Sequence, residues 1–383
     1  MGKLNSSDLD ILNRPEKENN QENLFDIDPD WRLQWWDMPE FSMKDVSPLK
    51  SITINFITED DFNDFKKLTE LPITMKSDSI WFPNQKRLNG SFFWSGEKTD
   101  SKYPICIPSK GRYDVQTTGK VLDGMGVSYH FFVEETEGDK YIERFGKDKV
   151  IVMPFHDLGQ GSIPARNFIW DWAKQNGFKR HWTVDDNISC FIRCTSNRRL
   201  IVRGGGFFKA MEDFIDRYDN IAMAGPHHQG FVMDRNPNLK PFIVNSRVYS
   251  CILLDTTLPY RWRGRYNEDT DLSLRLLKDN YCTLLFTALC MNKGTTVGCK
   301  DAKPMKGGNT DNVYIDNDYR LKFAKSLEEQ HPDIVKVVWK FNRWHHQVDY
   351  SGFKKNKLRL KPGITPIKVN NEYGMQLVKD DEV

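Results

Sequence analysis

Residues 150–188 read VIVMPFHDLGQGSIPARNFIWDWAKQNGFKRHWTVDDNI. An apolar strand over 150–154 leads through a glycine-bearing loop over 159–162 into a helix over 164–176, and a second strand then ends on Asp185, Asp186 and Asn187. The helix carries its own signals. Ser162 can cap it, Pro164 suits a first turn where no backbone donor is required, and Gly177 can close the far end in a left-handed conformation. Ala165, Phe168, Ile169, Trp172 and Ala173 recur at helical spacing, which predicts a face packed on a sheet. A buried strand that ends on two carboxylates and an amide sets oxygen ligands at the carboxyl edge of that sheet, where open α/β sheets bind ligands. Adjacent aspartates need counter-charge, and a hard divalent cation with phosphate ligands supplies it. The same triplet also serves as a solvated turn or helix cap, and the residues alone leave both readings open.

Outward from this unit, strand and helix alternate. A strand over 103–108 precedes a helix capped by Asp114, with Val115, Thr118, Leu122 and Met125 on one face and Gly126 at its end. A further strand over 129–133 closes on Glu134 and Glu135. Helices over 207–218, 270–278 and 319–329 and strands over 221–224, 248–254, 281–286 and 334–339 continue the pattern. Residues 104–361 therefore read as an α/β domain, a mainly parallel Rossmann-like sheet flanked by helices.

The flanks read differently. Residues 1–30 are polar and form a disordered tail. Residues 31–83 make a small α+β module: an aromatic cluster of Trp35, Trp36, Met38 and Phe41, a strand over 51–57, a helix over 59–69 presenting Phe62, Phe65 and Leu68, and a short strand over 79–83. That module either packs on the larger domain for stability or offers exposed tryptophans to an acceptor as stacking platforms. Residues 84–103, with Asn-Gly and Ser-Gly pairs, read as a linker, and 362–383 as a C-terminal tail.

The 55 Lys and Arg against 53 Asp and Glu in 383 residues leave a net charge of +2. No strongly basic field covers the whole protein, so nucleic-acid binding requires a local patch. Seven cysteines, an odd number without zinc-ligand pairs, read as reduced structural thiols. With no secretory signal and no apolar run near the ~20 residues of a bilayer span, a soluble cytoplasmic protein without a membrane partner is expected.

Five segments carry a resemblance. They are residues 107–112 (IPSKGR), residues 158–167 (LGQGSIPARN) followed by Asp185-Asp186-Asn187, residues 259–271 (PYRWRGRYNEDTD), residues 306–311 (KGGNTD) and residues 343–350 (RWHHQVDY). Their combination resembles the GT-A nucleotide-sugar glycosyltransferases and, more narrowly, the TET-associated glycosyltransferases, a phage-centred family expected to attach sugars to 5-hydroxymethylpyrimidines in DNA. The resemblance implies a GT-A-like fold, a UDP-sugar donor, and Mn²⁺ or Mg²⁺ held by Asp185, Asp186 and Asn187, with His345 and His346 as further ligand candidates. Asn187 stands where that pattern has a carboxylate. The change brings Asp186 into play and predicts weaker metal binding.

The resemblance also implies donor contacts from Pro108, Ser109, Lys110 and Arg112 in the first loop, and from Glu134 to uracil or ribose. Gln160, Gly161, Arg166 and Asn167 would act at the amino end of the central helix, with Asp185 and Lys306 beside them. Arg166 either contacts the donor or forms a salt bridge with Asp185 or Asp186. Asp269 would be the general base, with Glu268 or Asp271 as alternates, although acids at a helix start also simply cap it. Arg261, Arg263 and Arg265, and the late run Lys354, Lys355, Lys357 and Arg359, are candidates for DNA contact. The expectation is a metal-dependent, inverting glycosyltransferase acting on 5-hydroxymethylcytosine DNA, in the host cytoplasm if phage-encoded. Its rivals are the same chemistry on a protein or polysaccharide hydroxyl, and a catalytically silent DNA-binding module of the same fold.

Overall fold

The computed structural model describes residues 31–80, 91–293, 319–367 and 369–380. The tail at 1–30 and Lys306 with its glycine loop lie outside the described residues. The 150–188 unit forms as its sequence predicts. Val150–Met153 (β4) precedes a helix at Ile163–Gln175 (α4), which leads through Gly177, at φ 75°, into Arg180–Val184 (β5), buried along its whole length. Ile169 of α4 packs against Cys106, Phe132 and Met153, while Trp170 on the opposite side joins a second cluster with Leu254 and Trp262. The helix is thus buried on two sides, because the segment leading to Trp262 covers the face that a sheet alone would leave in water.

Ile105–Pro108 (β2) and His130–Glu134 (β3) complete a parallel set with β4 and β5, in the order β5-β2-β3-β4. Their near-continuous apolar runs fit strands covered on both faces. Between β2 and β3 a helix runs over Thr117–Met125 (α2), closed by Gly126 at φ 70°; Asp114 lies ahead of it and does not cap it. Gly138–Phe145 (α3) links β3 to β4. Because the four strands run the same way, the loops after 108, 134, 153 and 184 gather at one edge.

Beyond β5 the sheet becomes mixed. Ile188–Thr195 (β6) and Arg198–Arg203 (β7) form a hairpin, followed by Gly206–Asp216 (α5), Ile221–His228 (β8), Phe242–Val244 (β9) and Cys251–Asp255 (β10). Glu268–Lys278 (α6) leads into Cys282–Lys293 (β11), which pairs parallel with β8 and antiparallel with β6 and β9. Tyr319–Gln330 (α7) then precedes a separate two-stranded ribbon, Val335–Lys340 (β12) with Arg343–Val348 (β13).

Both flanks are more integrated than their composition suggests. Ser91–Ser95 (β1), within the expected linker, pairs with Gln376–Asp380 (β14), within the expected tail, and with β7. Arg193 locks the join: it lies 3.9 Å over the Trp94 ring and is ion-paired to Glu372. Trp35, Met38 and Phe41 are buried in the main core, Trp35 against Phe214, Phe242 and Phe286, and Trp36 lies beneath Arg217. These tryptophans are not open stacking platforms. Residues 51–57 form no strand, and Glu59–Thr69 (α1), begun by a Thr58–Asp61 capping box, buries none of its residues. The six cysteines among the described residues are unpaired, as expected of reduced thiols. Among the described residues no helix is long and apolar enough to cross a membrane.

Candidate active site

The carboxyl edge of the parallel strands opens into a cleft of about 550 Å³. Its walls bring together Pro108 at the end of β2 with Ser109, Lys110 and Arg112 after it, Glu134 at the end of β3, Gly161 and Arg166 at the head of α4, and Asp185, Asp186 and Asn187 after β5. The opposite wall carries Glu268 and Asp269 at the start of α6, with Arg265 ahead of them. This size and this mix of apolar walls with a few converging charges are those of ligand sites.

Every carboxylate oxygen of the strand-end acids has a donor. Arg166 Nη2 donates to Asp185 Oδ1 at 3.3 Å, and Lys293 Nζ, at the end of β11, donates to Asp185 Oδ2 at 3.0 Å and to Ser250 Oγ at 2.9 Å. Asp186 Oδ1 is paired with the buried Arg112, and Asp186 Oδ2 accepts from Ser109 Oγ at 2.6 Å. Burial works to raise the Asp185 carboxyl, but Lys293 and Arg166 outweigh it and hold it below the usual range. Burial pushes the Asp186 carboxyl up, against the pull of Arg112 and Ser109.

The helix-start acids are differently placed. Asn267, in the left-handed conformation at φ 54° and tied by its amide to Phe323 O at 2.8 Å, turns the chain so that α6 begins in the cleft. Glu268 accepts from Ser162 Oγ at 2.8 Å and lies 3.8 Å from Arg166 Nη2. Ser162 thus stands at the N-cap position of α4 as its sequence context predicts, but its hydroxyl makes no capping hydrogen bond and links α4 to α6 instead. Burial pushes the Glu268 carboxyl up, Arg166 opposes that, and Asp269 adds to it. Asp269 accepts from the backbone N–H of Thr270 at 2.7 Å and faces the cleft. Asp271 does not belong with them. It is fully buried, clamped by Arg263, Arg275 and His331, each at 2.9 Å, and these partners hold its carboxyl low despite burial. Its role is to anchor α6, which excludes it as a base.

The described donor set does not fit a divalent cation. Each carboxylate oxygen of Asp185 and Asp186 already accepts from a donor, three of the four donors are cationic, and a divalent cation would have to displace them or sit against their charge. His345 and His346 are consecutive on β13, so their rings leave opposite faces of the strand and do not converge. His345 accepts from Arg343 Nε at 2.9 Å. His346 lies near enough to Arg247 and Asp269 to feel both charges, and burial with Arg247 lowers its pKa to about 4. No group of three His, Cys, Asp or Glu side chains converges among the described residues. Among the described residues, Arg112, Arg166 and Lys293 occupy the carboxylate positions that the resemblance assigns to Mn²⁺ or Mg²⁺.

Other expected residues take structural parts. Asn167 bonds the backbone N–H and carbonyl of Trp262, both at 3.0 Å, and Arg166 lies 4.6 Å over the Trp262 ring. Gln160 is exposed and does not line the cleft. Lys110 bridges Glu134, at 2.6 Å, and Asp157. Arg261 pairs with Asp171 and Arg263 with Asp271, while Arg265 lines the cleft. Lys354, Lys355 and Lys357 are exposed, and Arg359 pairs with Asp219 at 3.1 Å. Sequence reasoning does not reach Lys293, Ser250, Tyr266 or Phe323. The last two stack at 4.3 Å and form an apolar wall of the cleft, whose only advance signal was their aromatic character.

Arg166 is the hinge of the arrangement. Its guanidinium lies between Asp185 and Glu268, and its Nε and Nη1 have no hydrogen-bond partner among the described residues although the side chain is 7% exposed. An anionic ligand in the cleft would satisfy them.

A family model described as TET-Associated Glycosyltransferase matches residues 103–302. Among solved structures, the chain is similar to one from Desulfovibrio desulfuricans G20 described as a nucleotide-diphospho-sugar transferase, at 12% identity over 49% of this chain and 80% of that one, with a TM-score of 0.28. No curated protein matches the chain.

Proposed function

The chain belongs to the TET-associated glycosyltransferase family, and from that premise we propose that it transfers a sugar from a nucleoside diphosphate sugar, UDP-linked, to the hydroxymethyl group of a 5-hydroxymethylpyrimidine in DNA, with 5-hydroxymethylcytosine as the leading base. The observation that carries this reading is the single cleft shared by the two acidic pairs, with Arg166 spanning them. A nucleotide donor supplies the acceptor oxygens that Arg166 Nε and Nη1 lack among the described residues, and an acceptor hydroxyl supplies the proton that a carboxylate can take.

The diphosphate lies against Arg166 and Lys293, whose charges stabilise it as it leaves. Asp269 takes the proton of the acceptor hydroxymethyl group as that oxygen bonds to the anomeric carbon of the sugar. The bond from that carbon to the diphosphate oxygen breaks, and the nucleoside diphosphate departs with the electron pair. Attack from the face opposite the leaving group inverts the anomeric centre. Glu268, whose carboxyl burial pushes up against the pull of Arg166, borders the same space. Tyr266 and Phe323 give the sugar or base an apolar wall. Because the 5-substituent of a pyrimidine faces the major groove, the acceptor oxygen is reachable in a duplex.

The test is incubation of 5-hydroxymethylcytosine DNA with a panel of UDP-sugars, followed by nucleoside mass spectrometry. A hexose or pentose mass increment on the hydroxymethylated base is expected. If folded protein adds no sugar to DNA but releases UDP when a protein or polysaccharide is supplied, the acceptor assignment is wrong. If UDP is never released, the chain is a silent member of its family.

A further inference from the structure

The β12–β13 ribbon stands apart from the main sheet and has two unlike faces. Its register pairs Val335 with Val348, Val337 with His346 and Trp339 with Trp344 on one face, and Lys336 with Gln347, Val338 with His345 and Lys340 with Arg343 on the other. The root of the first face is buried with Leu274 and Leu277 of α6 and Leu327 of α7. Its position is therefore fixed by the helix that begins with Glu268 and Asp269, and His346, midway along β13, lies within electrostatic reach of Asp269. The second face carries three cations, and the ribbon contains no acid from Val335 to Val348.

The tip is the unusual part. Phe341 and Asn342 form a two-residue turn with φ of 52° and 54°. Asparagine tolerates that conformation, whereas a phenylalanine there is strained. Its ring is 86% exposed and meets the His345 ring edge to face, with centroids 6.1 Å apart. Just behind it, Trp339 and Trp344 meet edge to face at 5.0 Å while remaining 57% and 37% exposed. That cross-strand pair stiffens the ribbon without covering its end. A strained, exposed aromatic tip on a stiff cationic ribbon is unexplained by folding and is the chemistry of a base-stacking, phosphate-binding element.

We propose that this ribbon is the acceptor-reading element: it enters the groove of duplex DNA with Phe341 against the bases and Lys336, Lys340 and Arg343 against the phosphates, and so delivers the modified pyrimidine to Asp269. This rests on the DNA reading of the function given above. A two-stranded ribbon fits the roughly 12 Å width of the major groove, and a strand of this length reaches about 20 Å, enough to engage the duplex while its root stays on α6.

The experiment compares wild type, Phe341→Gly and the triple variant Lys336→Ala/Lys340→Ala/Arg343→Ala on a 5-hydroxymethylcytosine duplex and, separately, on UDP-sugar hydrolysis without DNA. Glycine relieves the turn, so the first variant keeps its fold. We expect the KM for duplex to rise at least about tenfold in Phe341→Gly, and the salt slope of binding to fall by about 2 to 3 in the triple variant, following roughly 0.9 per phosphate contact. Hydrolysis of the donor stays within about twofold, because the ribbon lies outside the cleft. If both variants modify duplex with wild-type KM and salt slope, the inference fails while the transferase reading stands. If the wild type hydrolyses the donor yet neither binds nor modifies duplex, the DNA reading and this inference fall together.

Discussion

At the end of β5, Asp185 and Asp186 meet Arg166, Lys293, Arg112 and Ser109, so every carboxylate oxygen has a donor. Across the same cleft, at the start of α6, the Asp269 carboxylate hydrogen-bonds only Thr270 among the described residues, and the cation beside Glu268 is Arg166 at 3.8 Å. The two walls use the same functional group for opposite ends. A carboxylate paired with buried cations on both sides holds geometry and fixes those cations in place, whereas one facing a cleft with no cation on it can accept a proton. Neighbouring acids in a motif therefore say little about chemistry until their partners are known.

The sharpest break in that contrast is Asp269→Asn. We expect kcat for transfer to fall on the order of 10²- to 10⁴-fold, as for loss of a general base, while calorimetry shows nucleotide affinity nearly unchanged. Activity close to wild type would strike Asp269 from the role and leave the open wall without a task. On the saturated wall, Asp186→Ala should act on stability instead. It removes the charge facing Arg112 where both side chains are under one-tenth exposed, and about 3–5 kcal/mol should be lost in chemical denaturation. Unchanged stability would mean the pair is not the brace described here.

A smaller effect separates Glu268 from its neighbours by pH. Its folded pKa is raised above the ordinary 4.5, so the native state holds the proton more tightly than the unfolded chain. The resulting stability is complete below pH 4.5 and is lost as pH rises through the folded value. Glu268→Gln cannot ionise, so its Tm should gain on that of the wild type as pH rises from 4 to 7. A gap independent of pH would mean that Glu268 is not held toward neutrality. The smallest expected change is from chelation. With Arg112, Arg166 and Lys293 already on the strand-end acids, EDTA should alter UDP affinity by less than about twofold, since hard cations compete for the same oxygens. A large loss restored by Mn²⁺ would show that the resident cations yield to a metal.

The parallel half of the fold was legible because each of its signals is local. Pro164 at the head of α4, Gly126 and Gly177 in left-handed closures, and apolar strands ending on polar residues all act within a few positions of themselves. The acids of the cleft were legible for the same reason. What they pair with was not. Lys293 lies 108 residues beyond Asp185, at the end of a strand expected to stop near 286, and a lone lysine after an apolar run carries no pattern. Asp271 sits two residues from Asp269 and would pass for its equal, until Arg263, Arg275 and His331 close on it from three different segments. The flanks misled in another way. Phe92, Phe93 and Trp94 are strand-forming residues, but their partners are separated from them by almost the whole chain, and turn-rich neighbours pointed to a linker.

That distant pairing has a mechanical consequence. Ser91 lies opposite Asp380 and Ser95 opposite Gln376 in an antiparallel ladder, so tension applied between residues 91 and 380 would part the rungs one after another rather than loading them all at once. The seam would unzip from its outer end under modest force, while β2, β3 and β4 remained in register.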